Sequence, residues 1–171
     1  NKRDLPWRHH VNAYRVWVSE IMLQQTRVEA VKPFYHRFMK ELPTIEALAE
    51  AGEDQLLKLW EGLGYYNRIR NMQIAARQIV EDYSGEFPHE YEQILSLKGI
   101  GSYTAGAIAS FAFEIPKPAV DGNVLRVVSR ILASREDIMK ASVRKQMEEN
   151  IEKVIPRDCP SDFNQGLIEL G

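Results

Sequence analysis

Apolar residues recur at three- and four-residue intervals along nearly the whole chain, and the strict alternation of a half-buried strand is scarce. The pattern predicts a helix capped by Asn12 and running to about Gln25. A second runs from about Val28 to Leu42, with Pro33 tolerable only near its first turn or at a kink. Thr44 caps a short helix, and Glu53 to Leu63 forms another that Gly64 ends. Arg68 to Tyr83 is a longer amphipathic helix stopped by Ser84-Gly85, and His89 to Leu97 is short. Ser102 to Phe113 is rich in small residues (Ala105, Gly106, Ala107, Ala109, Ala112), so its neighbours can approach closely. Pro116 and Pro118 follow, then helices from Gly122 or Asn123 to about Ala133, from Ser142 to Ile155 and from Ser161 to Leu170. About ten helices joined by short loops make the class all-α.

A length of 171 residues predicts one domain, or two small modules sharing a core. With 44% hydrophobic and 27% charged residues the composition is that of a globular protein. No apolar run approaches the roughly 20 residues that cross a bilayer, which excludes a membrane span. The net charge of −2 conceals blocks: residues 1–40 carry +5, 41–61 −5, 62–80 +3, 81–100 −4, 101–135 +2 and 136–171 −3. Three separated basic segments allow one basic face; alternating solvated faces are the plainer reading. The single cysteine, Cys159, excludes a disulfide framework and any zinc or iron–sulfur site built from this chain's cysteines alone. The lack of paired cysteines and of a signal peptide fits a reducing, cytoplasmic setting. The chain starts at Asn1 and stops at Gly171 inside a predicted helix, so a fragment of a longer protein is expected.

Four features carry chemistry. Leu97-Lys98-Gly99-Ile100-Gly101 lies between two predicted helices. Two glycines allow a sharp turn, and the free N–H groups opening the next helix attract phosphate, as a helix–hairpin–helix unit binds the DNA backbone; the alternative is a plain connector. Glu20 shares a helix face with Val16, Trp17 and Leu23. Burial there favours the protonated state a general acid needs, unless Glu20 pairs with Arg15 or Arg27 or faces solvent. Asp121, in Val120-Asp121-Gly122-Asn123-Val124, reads first as an N-cap. An ionised carboxylate so held could also stabilise or attack a developing sugar cation, and two carboxylates in contrasting surroundings suit glycoside chemistry. Finally, Leu23-Gln24-Gln25-Thr26 and Leu63-Gly64-Tyr65-Tyr66 could wedge into a base stack, or be ordinary surface residues.

These pieces, with Asp4-Leu5-Pro6-Trp7-Arg8, Trp60-Glu61-Gly62 and Pro118-Ala119 beside them, occur in the order and approximate spacing of one family. Over nearly its whole length the chain resembles MutY-type adenine DNA glycosylases, of the helix–hairpin–helix superfamily that includes endonuclease III. The resemblance implies a six-helix barrel module over residues 16–124, with the hairpin unit at about 89–113. Residues 1–15 plus 125–171 then form part of a second, iron–sulfur-type helical module. It implies base-excision repair of double-stranded DNA by a monomer, in which adenine opposite 8-oxoguanine or guanine is extruded and its glycosidic bond hydrolysed. Glu20 would protonate the base. Asp121 would stabilise the sugar cation through a transient covalent adduct, and Asn123 would help position it. Arg3, Leu5, Trp7 and Arg8 match the adenine-pocket segment. Gln24, Gln25, Thr26 and Tyr65 match the segments that hold the opened stack, and Leu97, Lys98, Gly99, Ile100 and Gly101 those that hold the backbone. Tyr103 stands where bifunctional relatives carry a Schiff-base lysine; a phenol forms no imine, so the enzyme would be monofunctional, and the hydroxyl could orient Asp121.

Lys98 departs from the proline common in this hairpin, and Gln165 from a glutamate in some relatives. The family's four-cysteine [4Fe–4S] motif follows the Phe163–Gly171 segment, so the cluster loop is absent here, as is the C-terminal Nudix-like domain that senses 8-oxoguanine. No metal site is expected within this chain, although backbone carbonyls at the hairpin could hold a monovalent cation. A cytoplasmic, nucleoid-associated bacterial protein is expected. The competing readings are another mismatch or oxidised-base glycosylase on the same scaffold, a non-catalytic helix–hairpin–helix DNA-binding module, and a helical protein scaffold.

Overall fold

The computed structural model describes residues 3–171, and among them there is no strand. The chain packs as two compact units, Asn1–Ile100 and Gly101–Gly171.

In the first unit a 3-10 turn, Pro6–Arg8, precedes α1 (Ala13–Leu23), α2 (Val28–Glu41), α3 (Ile45–Glu50), α4 (Glu53–Trp60), α5 (Asn67–Tyr83) and α6 (Tyr91–Ser96). Local signals set several starts. Asn12 accepts from the Arg15 amide to cap α1, and Thr44 accepts from the Ala47 amide to cap α3. Six residues cannot sustain a helix alone, so α3 depends on α5. The Gln73 amide donates to the carbonyls of Leu48 (3.2 Å) and Ala51 (2.7 Å), and the Arg77 guanidinium to that of Ala49 (3.1 Å). These bonds take up carbonyls that the end of α3 leaves unpaired. Every helix contributes to the core: Trp17, Val18 and Met22 from α1, Val31 and Phe38 from α2, Leu48, Trp60, Ile69, Met72, Ile79 and Ile94. Trp17 meets Phe87 edge to face at 5.6 Å between centroids, and Phe38 meets Trp60 at 6.3 Å. Such pairs add about 1 kcal/mol each to the burial of their area.

Two helix ends and the place of Pro33 differ from the sequence pattern. α1 ends at Leu23, because Gln24 leaves the helical region (ψ 116°) and Gln25 then turns into the left-handed region at φ 60°. α4 ends at Trp60 rather than Leu63, where Gly62 (φ 102°) and Gly64 (φ 71°) turn the chain and the Trp60 indole donates to the Gly64 carbonyl at 3.0 Å. Pro33 lies well inside α2, past its first turn.

The second unit holds α7 (Ser102–Phe113), α8 (Gly122–Ile131), α9 (Ala141–Val154) and α10 (Pro160–Leu170). α10 packs against α7 and α8, and α9 against α8. Val120, Val124, Leu125, Val143, Met147 and Ile151 form its core, flanked by Phe163, Leu167 and Ile168. The small-residue surface of α7 receives the extended segment before α8. At Gly106 a Cβ would run into the Pro118 carbonyl, so glycine is required for that approach.

Candidate active site and nucleic-acid interface

Glu20 is 8% exposed on α1. From Val16 to Met22 every residue of α1 is buried, so this stretch is enclosed on all sides rather than on one face. The preceding segment also belongs to the first unit. Leu5 and Trp7 are buried, with Trp7 edge-on to Tyr35 at 5.4 Å. Arg3 is exposed and Arg8 half-buried, and the Arg8 guanidinium donates to the Arg3 carbonyl at 2.9 Å.

The glutamine and tyrosine segments come together. Gln24, Gln25, Tyr65, Tyr66, Asn67 and Arg68 line one groove of about 420 Å³. Tyr65 is 69% exposed at its edge, and Thr26 bonds back through its hydroxyl to the Gln24 carbonyl at 3.4 Å. Both segments hold a non-glycine residue in the left-handed region, Gln25 at φ 60° and Tyr65 at φ 48°. Between them lies Arg68, whose guanidinium donates to carbonyls on both sides. Burial pushes its pKa below the ordinary arginine value, and Tyr65 opposes that shift.

The hairpin turns at Gly99 (φ 78°) after the buried Leu97. Lys98 is exposed, and its amide donates to the Gln78 side chain of α5 at 2.9 Å. A Cβ at Gly99 would lie 2.9 Å from the Asn71 Cβ, so α5 lies hard against the turn. Ile100 is buried, and Gly101 caps α7 without a side chain, leaving the first N–H groups of that helix to other acceptors.

In the second unit Asp121 caps α8. Its carboxylate accepts from the Val124 amide at 2.8 Å and from the Asn123 side-chain amide at 3.2 Å. Asn123 in turn accepts from Arg126. Tyr103 is half-buried in the first turn of α7. The approach to Asp121 is held by Asn164 of α10, 1% exposed, which donates to the Lys117 carbonyl (2.8 Å) and the Ser110 hydroxyl (2.9 Å) and accepts from the Ala119 amide (3.4 Å). Arg144 adds a bond to the Val120 carbonyl at 3.3 Å, and Lys117 pairs with Glu152 at 2.5 Å.

Residues 18–153 match the family described as HhH-GPD superfamily base excision DNA repair protein. The chain belongs to that superfamily. Among curated relatives, the adenine DNA glycosylase of Rattus norvegicus is 44% identical over 179 aligned residues, covering 99% of this chain and 35% of that protein. The adenine DNA glycosylase of Buchnera aphidicola subsp. Baizongia pistaciae is 41% identical, over 99% of this chain and 48% of its own. The chain thus spans half or less of these relatives. Among solved structures, a thermostable thymine-DNA glycosylase superposes with a TM-score of 0.89 at 29% identity, covering 99% of this chain and 78% of that one. A non-covalent endonuclease III–DNA complex gives 0.82 at 26%, covering 95% and 74%.

A four-thiolate cluster does not fit the residues present: Cys159 is the one cysteine, exposed at the head of α10, and no group of three His, Cys, Asp or Glu among the described residues could hold a metal. No described helix is long and apolar enough to cross a membrane. Sequence reasoning missed Arg68, Asn71, Gln78 and Asn164. Each acts on backbone 20 or more residues away or on a turn, which no local signal marks.

Proposed function

We propose that this chain is the catalytic core of a monofunctional adenine DNA glycosylase acting on adenine opposite 8-oxoguanine or guanine. The observation that carries the reading is the contrast between two carboxylates: Glu20 lies in the buried stretch of α1, and Asp121 accepts two hydrogen bonds at the head of α8. Protonated Glu20 donates to a ring nitrogen of the extruded adenine. The C1′–N9 bond then breaks, its electron pair leaving with the base, and positive charge spreads over C1′ and the ring oxygen. The Asp121 carboxylate stabilises that charge and closes on C1′ as a transient ester. Water displaces it, leaving an abasic sugar, and the water's proton restores Glu20. Asn123 orients Asp121, and Arg3, Leu5, Trp7 and Arg8 form the base pocket. The hairpin residues 97–101 take phosphate on backbone N–H groups, while Gln24, Gln25, Thr26 and Tyr65 hold the gap. Tyr103 supplies no amine, so the strand stays intact.

Single-turnover adenine release from a duplex with one A opposite 8-oxoguanine tests this in the full-length protein. Alkali-dependent cleavage by the parent, abolished in Glu20→Gln while DNA binding persists, is the expected result. No base release by a DNA-binding parent would remove the adenine assignment. Strand cleavage without alkali would contradict the role given to Tyr103. The 0.89 superposition on a thymine-DNA glycosylase favours mispaired thymine as the second substrate to assay.

A further inference from the structure

We infer that Arg68 is a positioning residue that joins the two DNA-wedging segments into one rigid element, so that mispair discrimination depends on a side chain whose hydrogen bonds all stay within the protein. The functional half of this inference rests on the reading above; the coupling of the two segments does not.

The guanidinium divides its donors evenly. Nη1 donates to Ile21 (2.8 Å) and Gln24 (2.9 Å), both at the carbonyl end of α1. Nη2 donates to Leu63 and Gly64, both at 3.2 Å, in the turn after α4. All four Nη hydrogens are thereby used, and the buried Nε has no partner. One planar group therefore fixes the spacing of two segments that lie some forty residues apart in sequence. Its plane is confined by two rings, with its carbon 5.3 Å from the Trp60 centroid and 5.7 Å from that of Tyr65. The carbonyl end of a helix also favours a cation by its dipole.

What is held is strained. Gln25 and Tyr65 are non-glycine residues at positive φ, a conformation that persists only where the surroundings over-determine it. Arg68 bonds the residue directly before each of them, Gln24 and Gly64. Both side chains are exposed at the groove that Arg68 lines. A lysine cannot reproduce this arrangement, because a point ammonium with three donors lacks the rigid fork that serves both segments.

The test compares Arg68→Lys with the parent, using Arg70→Lys as a control on the neighbouring surface. Two quantities are read in each full-length protein: amide hydrogen exchange in residues 24–26 and 63–66 without DNA, and the fluorescence of a 2-aminopurine next to an A:8-oxoguanine pair on binding. In Arg68→Lys, exchange should rise at least tenfold in both segments together, and both the fluorescence gain and the affinity ratio of mispaired over matched duplex should fall about tenfold. Faster exchange in one segment only, in neither, or in both while the variant keeps the unstacking that the parent shows, would overturn the inference. Joint loosening with a parent that unstacks no mispair would uphold the coupling and overturn the DNA reading. If Arg68→Lys does not fold, Gln25→Ala, Tyr65→Ala and their double variant serve, since both side chains are exposed. One rigid element predicts that the double variant loses no more unstacking than the worse single variant, and strictly multiplicative losses would overturn it.

Discussion

The side-chain amide of Asn164 donates to the Lys117 carbonyl at 2.8 Å while its oxygen accepts from the Ala119 amide, 45 residues back in the sequence. One buried side chain thus mimics a strand partner for the segment that delivers Asp121. Asn164→Asp keeps the acceptor and loses both donors, setting a carboxylate against the Lys117 carbonyl and the Ser110 hydroxyl. About 2–4 kcal/mol of stability should be lost, since buried groups are left unpaired. Thermal unfolding would register this as a fall of several degrees. If Asn164 positions Asp121, the single-turnover rate of DNA-saturated, folded enzyme also drops at 20 °C. A variant that melts earlier yet turns over at the parent rate would confine Asn164 to stability.

Gly106 acts on the same segment from α7. A methyl at this position meets the Pro118 carbonyl and lies 3.2 Å from the Ala119 Cα, both of them backbone that cannot swing away. Gly106→Ala should therefore cost about 3 kcal/mol despite alanine's better helix propensity. Chemical denaturation would measure it as a lower midpoint at unchanged slope.

The contrast between Gly106 and Asp121 shows which parts were legible in the chain. Caps are local: Asn12, Thr44 and Asp121 each accept from an amide three residues on, and each stands out by residue type. The all-helical class follows from spacing alone. The helix ends at Leu23 and Trp60 were less legible, because the residues after them are held in unusual conformations by Arg68 of α5. Asn164, Gln78 and Arg68 look like ordinary surface residues in sequence. Their partners are brought to them by tertiary packing, and no periodicity encodes that.

Burial raises the pKa of the Tyr14 phenol above its ordinary value, with lesser contributions from Tyr35 and Glu46, and its hydroxyl donates to the Leu42 carbonyl at 2.7 Å. Tyr35 is raised as well, again chiefly by burial. A tyrosine with a raised folded pKa contributes its full stability below the unfolded value of about 10. Above that pH the unfolded chain binds fewer protons than the folded one, so stability falls as pH rises, by at most about 1.4 kcal/mol per unit for each such group. Denaturation between pH 9 and 11.5 should show this decline. Tyr14→Phe should make it shallower while costing about 1–2 kcal/mol at pH 7 for the unpaired carbonyl. An unchanged alkaline slope in the variant would mean that Tyr14 does not contribute.

Asp121 has both a structural and a proposed chemical part, and two substitutions separate them. Asparagine is as good an N-cap as aspartate, so Asp121→Asn should keep the bond from the Val124 amide and lose less than about 0.5 kcal/mol. Alanine removes the cap and should cost about 1 kcal/mol. If the carboxylate stabilises a sugar cation, the order of effects on catalysis is different. The neutral amide cannot oppose the developing charge or form the ester, so Asp121→Asn should slow base release about a thousandfold, as alanine does, at nearly parent stability. Duplex affinity should change little in either variant. Thermal unfolding and single-turnover excision, measured side by side, decide the matter: a well-folded Asp121→Asn enzyme that still excises adenine at the parent rate would leave Asp121 as a helix cap and nothing more.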